Sequence, residues 1–163
     1  MGSESVSLNV RSSCLFYKKI MFIFFPAMTD EEVKAMFTKV ILKCASKFKA
    51  DMKDMMTLAS LQTPTDPQVK CILACAYRDI GTMNDKGLYD LERAYKISEE
   101  LQKGDEKRIQ KGKELAKTCS LVNDETVTDG EKGCDRAALI FECSVKNAPK
   151  VRFYLFMFTC IFV

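Results

Sequence analysis

Asp66-Pro67-Gln68-Val69-Lys70-Cys71-Ile72-Leu73-Ala74-Cys75-Ala76-Tyr77-Arg78-Asp79-Ile80-Gly81 is the stretch that decides the fold. Asp66-Pro67 reads as the N-cap and first position of a helix, and Gly81 as its stop. Projected at ~100° per residue, Val69, Leu73, Ala76 and Ile80 gather on one side while Cys71 and Cys75 lie near the other. Both sides are engaged, so this is predicted to be the central helix. One turn apart on a helix, the two cysteine Cβ atoms sit ~5–6 Å from each other. A disulfide needs ~3.8 Å. Each cysteine must therefore bond elsewhere in the chain.

Working outward, Cys71 and Cys75 belong to a set of six with Cys44, Cys119, Cys134 and Cys143, separated by 26, 3, 43, 14 and 8 residues. If Cys134 and Cys143 share a helix, the rise between them is ~13 Å and they cannot pair. Excluding both intrahelical pairs reduces the connectivities of six cysteines from fifteen to ten. Spacing alone leaves all ten open. An even cysteine set in a short helical chain points to an exported, disulfide-stapled domain. Four-cysteine zinc sites favour C-x2-C pairs on tight turns, whereas these intervals lie on helices, so no metal is expected. The mitochondrial twin C-x9-C hairpin fits neither short interval. The chain has no histidine, which excludes histidine zinc sites, Ser-His-Asp triads and Cys-His pairs within it.

The flanking sequence is helical as well. Thr29-Asp30-Glu31-Glu32 is a capping box, followed by Val33, Met36, Phe37, Val40, Ile41, Cys44 and Phe48 on one apolar face. A short second helix is expected from about Lys53 to Leu61. A fourth should run from about Gly87 to Gln102, and a fifth from Asp105 to about Cys119. A polar loop from Asn123 to Gly133 precedes a sixth helix, Cys134 to Val145, which is apolar around most of its circumference and so predicted to be buried. No strand-type alternation of any length occurs.

This pattern resembles the insect odorant-binding proteins, the general odorant and pheromone carriers of antennal lymph. The resemblance rests on one cysteine in a first long helix, C-x3-C in a central helix, a long interval, then C-x8-C near the end. Met83-Asn84-Asp85-Lys86-Gly87, then Tyr89-Asp90-Leu91, and Asn147-Ala148-Pro149 are similar to the family too. It covers Thr29 to about Lys150. The resemblance implies bridges Cys44–Cys75, Cys71–Cys134 and Cys119–Cys143, one of the ten connectivities left open. The expected fold is thus all-α: a compact six-helix domain stapled by three interlocked disulfides around an apolar cavity. By loop entropy each bridge contributes ~3–4 kcal/mol. Such a fold tolerates an unpacked centre that a guest can fill.

The formal charge of +3 comes from the ends. Met28 to Lys150 holds 21 basic and 21 acidic residues, so no basic face argues for nucleic acid. Residues 1–28 read as an atypical secretory leader or a mis-called N-terminal extension, with Lys18-Lys19 ahead of the apolar run Ile20 to Phe25. Residues 151–163 form an apolar tail too short to span a bilayer, which needs ~20 residues. Cys14 and Cys160 fall in these ends, outside the set of six. The organisation expected is leader or extension 1–28, carrier domain 29–150 and tail 151–163.

No pair of carboxylates converges: Glu31-Glu32 and Glu99-Glu100 are helix neighbours that point apart. No catalysis and no cofactor are expected. Methionines adapt to many shapes, and Tyr77, Tyr89 and Tyr95 carry polar tips, although Tyr89 reads best as surface-spanning. The expected pocket takes Met36, Phe37 and Val40 from the first helix, Met52 and Met55 from the second, and Leu73, Ala76 and Tyr77 from the third. Leu91 comes from the fourth, Ile109 and Leu115 from the fifth, Ala138 and Phe141 from the sixth. The function expected is a secreted carrier of small apolar ligands in sensillar lymph or another body fluid. The resemblance implies an olfactory receptor as downstream partner and a monomer or weak homodimer. Two alternatives stand: a secreted helical signalling protein with a solid core, and a cytosolic helical protein with free thiols.

Overall fold

The computed structural model describes residues 27–151, with side chains through Asn147. The leader and tail assigned to residues 1–28 and 151–163, and Cys14 and Cys160, lie almost wholly outside the described residues. Among the described residues six α-helices follow one another: α1 (Asp30–Phe48), α2 (Met52–Ala59), α3 (Pro67–Ile80), α4 (Leu91–Leu101), α5 (Glu106–Ser120) and α6 (Cys134–Val151). Two 3-10 turns, Leu121–Asp124 and Gly130–Lys132, join the last two helices.

Local chemistry starts and stops each helix. Thr29 and Glu32 form the reciprocal capping box of α1, with the Glu32 amide donating to Thr29 Oγ1 at 3.2 Å and the Thr29 amide to Glu32 Oε2 at 2.8 Å. Asp51 and Asp54 make a second such box that sets α2 one residue earlier than the periodicity predicted. Asp66 caps α3 by accepting from the Gln68 and Val69 amides, and Gly81 ends it at φ 95°. Asp90 and Asp105 cap α4 and α5.

The predicted fourth helix is shorter than expected at its start. Thr82 to Asp90 is instead a tight antiparallel turn with a bridge between Met83 and Tyr89. Asn84 holds it by accepting on Oδ1 from the Lys86 and Leu88 amides, and Gly87 takes φ 71°, a left-handed value that no helix continues through.

Helix α3 packs on α1 and on α6, while α4 packs on α5 and α5 on α6. Val69, Ile72, Leu73, Ala74 and Ala76 of α3 are buried, as are Ala137, Ile140 and Phe141 of α6, so the apolar circumference of α6 is indeed core. Cys44–Cys75 ties α1 to α3, Cys71–Cys134 ties α3 to α6, and Cys119–Cys143 ties α5 to α6. Beside Cys71–Cys134, Lys70 Nζ lies 3.0 Å from Asp135 Oδ1 and reinforces the same joint. Buried Arg136 donates to the Val122 and Glu125 carbonyls, and Arg78 donates to those of Glu131 (2.8 Å) and Lys132 (3.0 Å). Two cations therefore pin the loop before α6.

That loop meets the 82–90 turn backbone to backbone. A Cβ on Gly133, at φ 68°, would stand 2.9 Å from the Gly87 Cα and 2.9 Å from Met83 Sδ, whereas one on Gly130, at φ 56°, would meet nothing within 4 Å. Both Gly→Ala changes incur the left-handed penalty of ~1–2 kcal/mol, and overpacking adds ~1–3 kcal/mol only at Gly133. Denaturant unfolding should therefore show Gly133→Ala losing at least about 1 kcal/mol more than Gly130→Ala. Equal losses would contradict the close approach.

Candidate functional site: an apolar pocket between the first, fourth and fifth helices

Two matching registers build the site. Helix α4 presents Ala94, Ile97, Ser98 and Leu101, and α5 presents Gly112, Leu115, Ala116 and Cys119, each at steps of three, one and three. Such spacing puts four side chains on one helix face. Val33 and Phe37, one turn apart on α1, close a third side; Thr82 and Tyr89 of the turn, Ser144 of α6 and Gln102 complete the wall. The space enclosed is about 80 Å³. None of these lining residues is charged.

Helices α4 and α5 come close because Gly112 has no side chain. A Cβ there would meet Ser98 Oγ at 2.8 Å. Ser98 donates its hydroxyl to the Ala94 carbonyl at 3.0 Å, which leaves its oxygen lone pairs available. Tyr89 is fixed by Asn123, whose amide accepts from the Tyr89 N–H and donates to its carbonyl, both at 2.9 Å. At the far end Met28 donates its N–H to the Leu101 carbonyl at 2.8 Å, and Arg108 donates to the Met28 carbonyl at 3.0 Å. The chain entering α1 is thereby strapped across the α4–α5 junction.

Of the residues expected from sequence, the structure brings Phe37 and Leu115 to this wall. Leu73, Ala76 and Phe141 sit in the main core cluster, with Val40, Met55 and Tyr77 packed against it. Ala138 is buried beside a shallow depression containing Pro64 and Thr128, and Ile109 beneath another with Glu99 and Lys113. Met36 and Leu91 are half-buried and do not line the space. Met52 is corrected outright: it is 64% exposed. Helix α2 is short and buries Leu58, which turns Met52 and Met56 outward. Tyr89, expected at the surface, lies on the wall. The overlooked residues carried a signal in the repeated register on α4 and α5.

Among the described residues the one group with metal-ligand proximity is Cys44, Cys75 and Asp79. Its two sulfurs are bonded to each other, leaving a single carboxylate. No helix of the described residues is long and apolar enough to cross a membrane.

The family model of the PBP/GOBP family matches residues 26–147, three quarters of the chain, with all six paired cysteines inside. The chain belongs to the PBP/GOBP family. Among solved structures it is similar to odorant-binding protein 28a of Drosophila melanogaster, with a TM-score of 0.57, 20% identity, and coverage of 77% of this chain and 99% of that one. At that identity the likeness speaks for the fold. No curated protein sequence matches the chain. The insect odorant-binding fold expected from the cysteine spacing is thus the fold observed, and in this PBP/GOBP domain the pocket lies beside the Cys119–Cys143 bridge.

The shifted carboxylates of the domain all move in one direction. The Thr29 backbone and hydroxyl hold Glu32 below the usual carboxylate range, the Lys43 ammonium holds Asp79 down, and Thr128 followed by Lys70 does the same for Asp135. A lowered pKa means that the stabilisation is complete above the ordinary carboxyl value of ~4 and fades only as pH falls through the lowered one. With no histidine and no charged lining, ligand affinity should be nearly flat from about pH 7.5 to about 5.5 and decline below ~5. Displacement of an added fluorescent probe reads this out. A tenfold drop between about pH 7 and 6 would refute it.

Proposed function

We propose that this PBP/GOBP domain is a secreted carrier that holds small apolar molecules and catalyses nothing. The observation that supports this is the wall of Val33, Phe37, Ala94, Ile97, Leu101 and Leu115 around an uncharged space between α1, α4 and α5. A void in a core costs about 24 cal/mol per cubic ångström. Filling it with an apolar guest recovers that loss. The three bridges make the fold able to carry the unfilled state, since each is worth ~3–4 kcal/mol by loop entropy. The cargo proposed is an odorant, a pheromone or a similar semi-volatile compound, handed on to an olfactory receptor. Export fits three disulfides among helices, which a reducing compartment would not maintain.

At about 80 Å³ the space is smaller than the ~300–1,000 Å³ of pockets for drug-sized ligands. Small guests fit directly, and longer ones require Phe37, Ile97 and Leu101 to repack. N-phenylnaphthylamine should bind to the oxidised domain with one site per chain. Absence of saturable binding would favour a solid-core signalling protein. The position of the site is checked by Ala94→Leu, which should weaken a bulky guest about tenfold more than a compact one. Equal weakening of both would place the binding elsewhere.

A further inference from the structure

Gln102 stands out on the pocket wall. It is the C-cap of α4, its side chain is 1% exposed, and neither Nε2 nor Oε1 has a hydrogen-bond partner. Its backbone is fully used: the N–H donates to the Ser98 carbonyl at 3.1 Å and the carbonyl accepts from the Asp105 N–H at 2.8 Å. Gln102 itself lines the space, together with apolar groups and three hydroxyl side chains, Thr82, Ser98 and Ser144. Thr82 and Ser98 direct their protons to backbone carbonyls, so they offer lone pairs to the space.

A buried amide with no partner is among the costlier features a core can hold. A site that leaves a polar group unpaired until a ligand supplies the partner discriminates strongly against analogues lacking that partner. We propose that Gln102 is the specificity-determining residue of the pocket, accepting from and donating to the single hydroxyl of an otherwise apolar alcohol. The hydroxyl donates to Oε1 and accepts from Nε2, or accepts there while donating to the Ser98 oxygen. Aldehydes and esters, which only accept, satisfy half of the amide, and hydrocarbons satisfy none. A carboxylic acid is disfavoured because it is ionised at neutral pH and no lining residue carries a positive charge. Interchanging the oxygen and nitrogen of the amide changes nothing, since both are unpaired.

This inference rests on the carrier reading, and one experiment separates the two. The oxidised protein is loaded with N-phenylnaphthylamine, and hexanol, hexanal and heptane, similar in size, compete for it. Hexanol should displace the probe at about tenfold lower concentration than heptane, with hexanal between. Gln102→Leu and the slimmer Gln102→Met should bring the three within about twofold, mainly by improving heptane. Because both variants remove an unpaired buried amide, each should also raise the melting temperature of the ligand-free protein. Equal competition by hexanol and heptane in the unmodified protein overturns the role of Gln102 and leaves the carrier reading standing. So does an unchanged preference in both variants, which would mean that water or another group satisfies the amide. A protein that never binds the probe overturns both.

Discussion

Everything in this fold hangs on α3, which is cross-linked through one of its faces and packed through the other. Cys71 and Cys75 cannot reach each other, so one joins α6 and the other joins α1, and a single helix becomes the common brace of the domain. The apolar side of the same helix supplies Val69, Leu73 and Ala76 to the core. Covalent and hydrophobic constraints thus act on one element from different directions. Cys119–Cys143 extends the frame by fixing α5 to the far end of α6. Lys70–Asp135 and the two arginines Arg78 and Arg136 add polar fastening at the start of α6, where the loop would otherwise be free to swing.

Helix α4 stands apart from this frame. It carries no cysteine, yet it contributes as much of the pocket wall as α5 does. It is held by its face on α5, by the Ser98–Gly112 approach, by the Lys113–Glu99 ion pair and by the hydrogen bond from Met28 to Leu101. Ion pairs at such exposed positions are worth at most about 1 kcal/mol each. The α4 wall of the pocket is therefore held without a cross-link, and the walls from α1, α5 and α6 belong to a cross-linked frame. A site of this construction adapts on one side while keeping its location on the other.

Sequence disclosed the frame more fully than the pocket, for a physical reason. Cysteine spacing on helices is a hard geometric constraint, and capping residues such as Thr29, Asp66 and Asp105 act over three or four positions, so both are readable locally. The misplaced start of α4 came from treating Gly87 as a helix boundary when its role is a left-handed turn pressed against Gly133. That contact joins segments over forty residues apart, and no local pattern signals it. The pocket was harder still. Met52 and Met55 have the composition of a flexible lining, but which face of α2 looks inward depends on where the rest of the chain lies. Ala94, Ile97, Ser98 and Leu101 did carry a register, but small and polar members made it look like an ordinary helix face.

Gln102 shows why the frame and the pocket belong to one argument. An unpaired buried amide costs ~1–3 kcal/mol, a large share of the ~5–15 kcal/mol that keeps a domain folded. A small helical protein without cross-links would have to fill that position with an apolar side chain. Here the cost falls at the junction of α4 and α5, next to a frame whose three bridges add stability from outside the pocket. The backbone of Gln102 is held by the Ser98 carbonyl and the Asp105 amide at the end of α4, and its side chain is buried there. In the role proposed for it, a polar group kept unpaired in this way would discriminate between ligands. The same group on a flexible loop would turn to water and discriminate nothing.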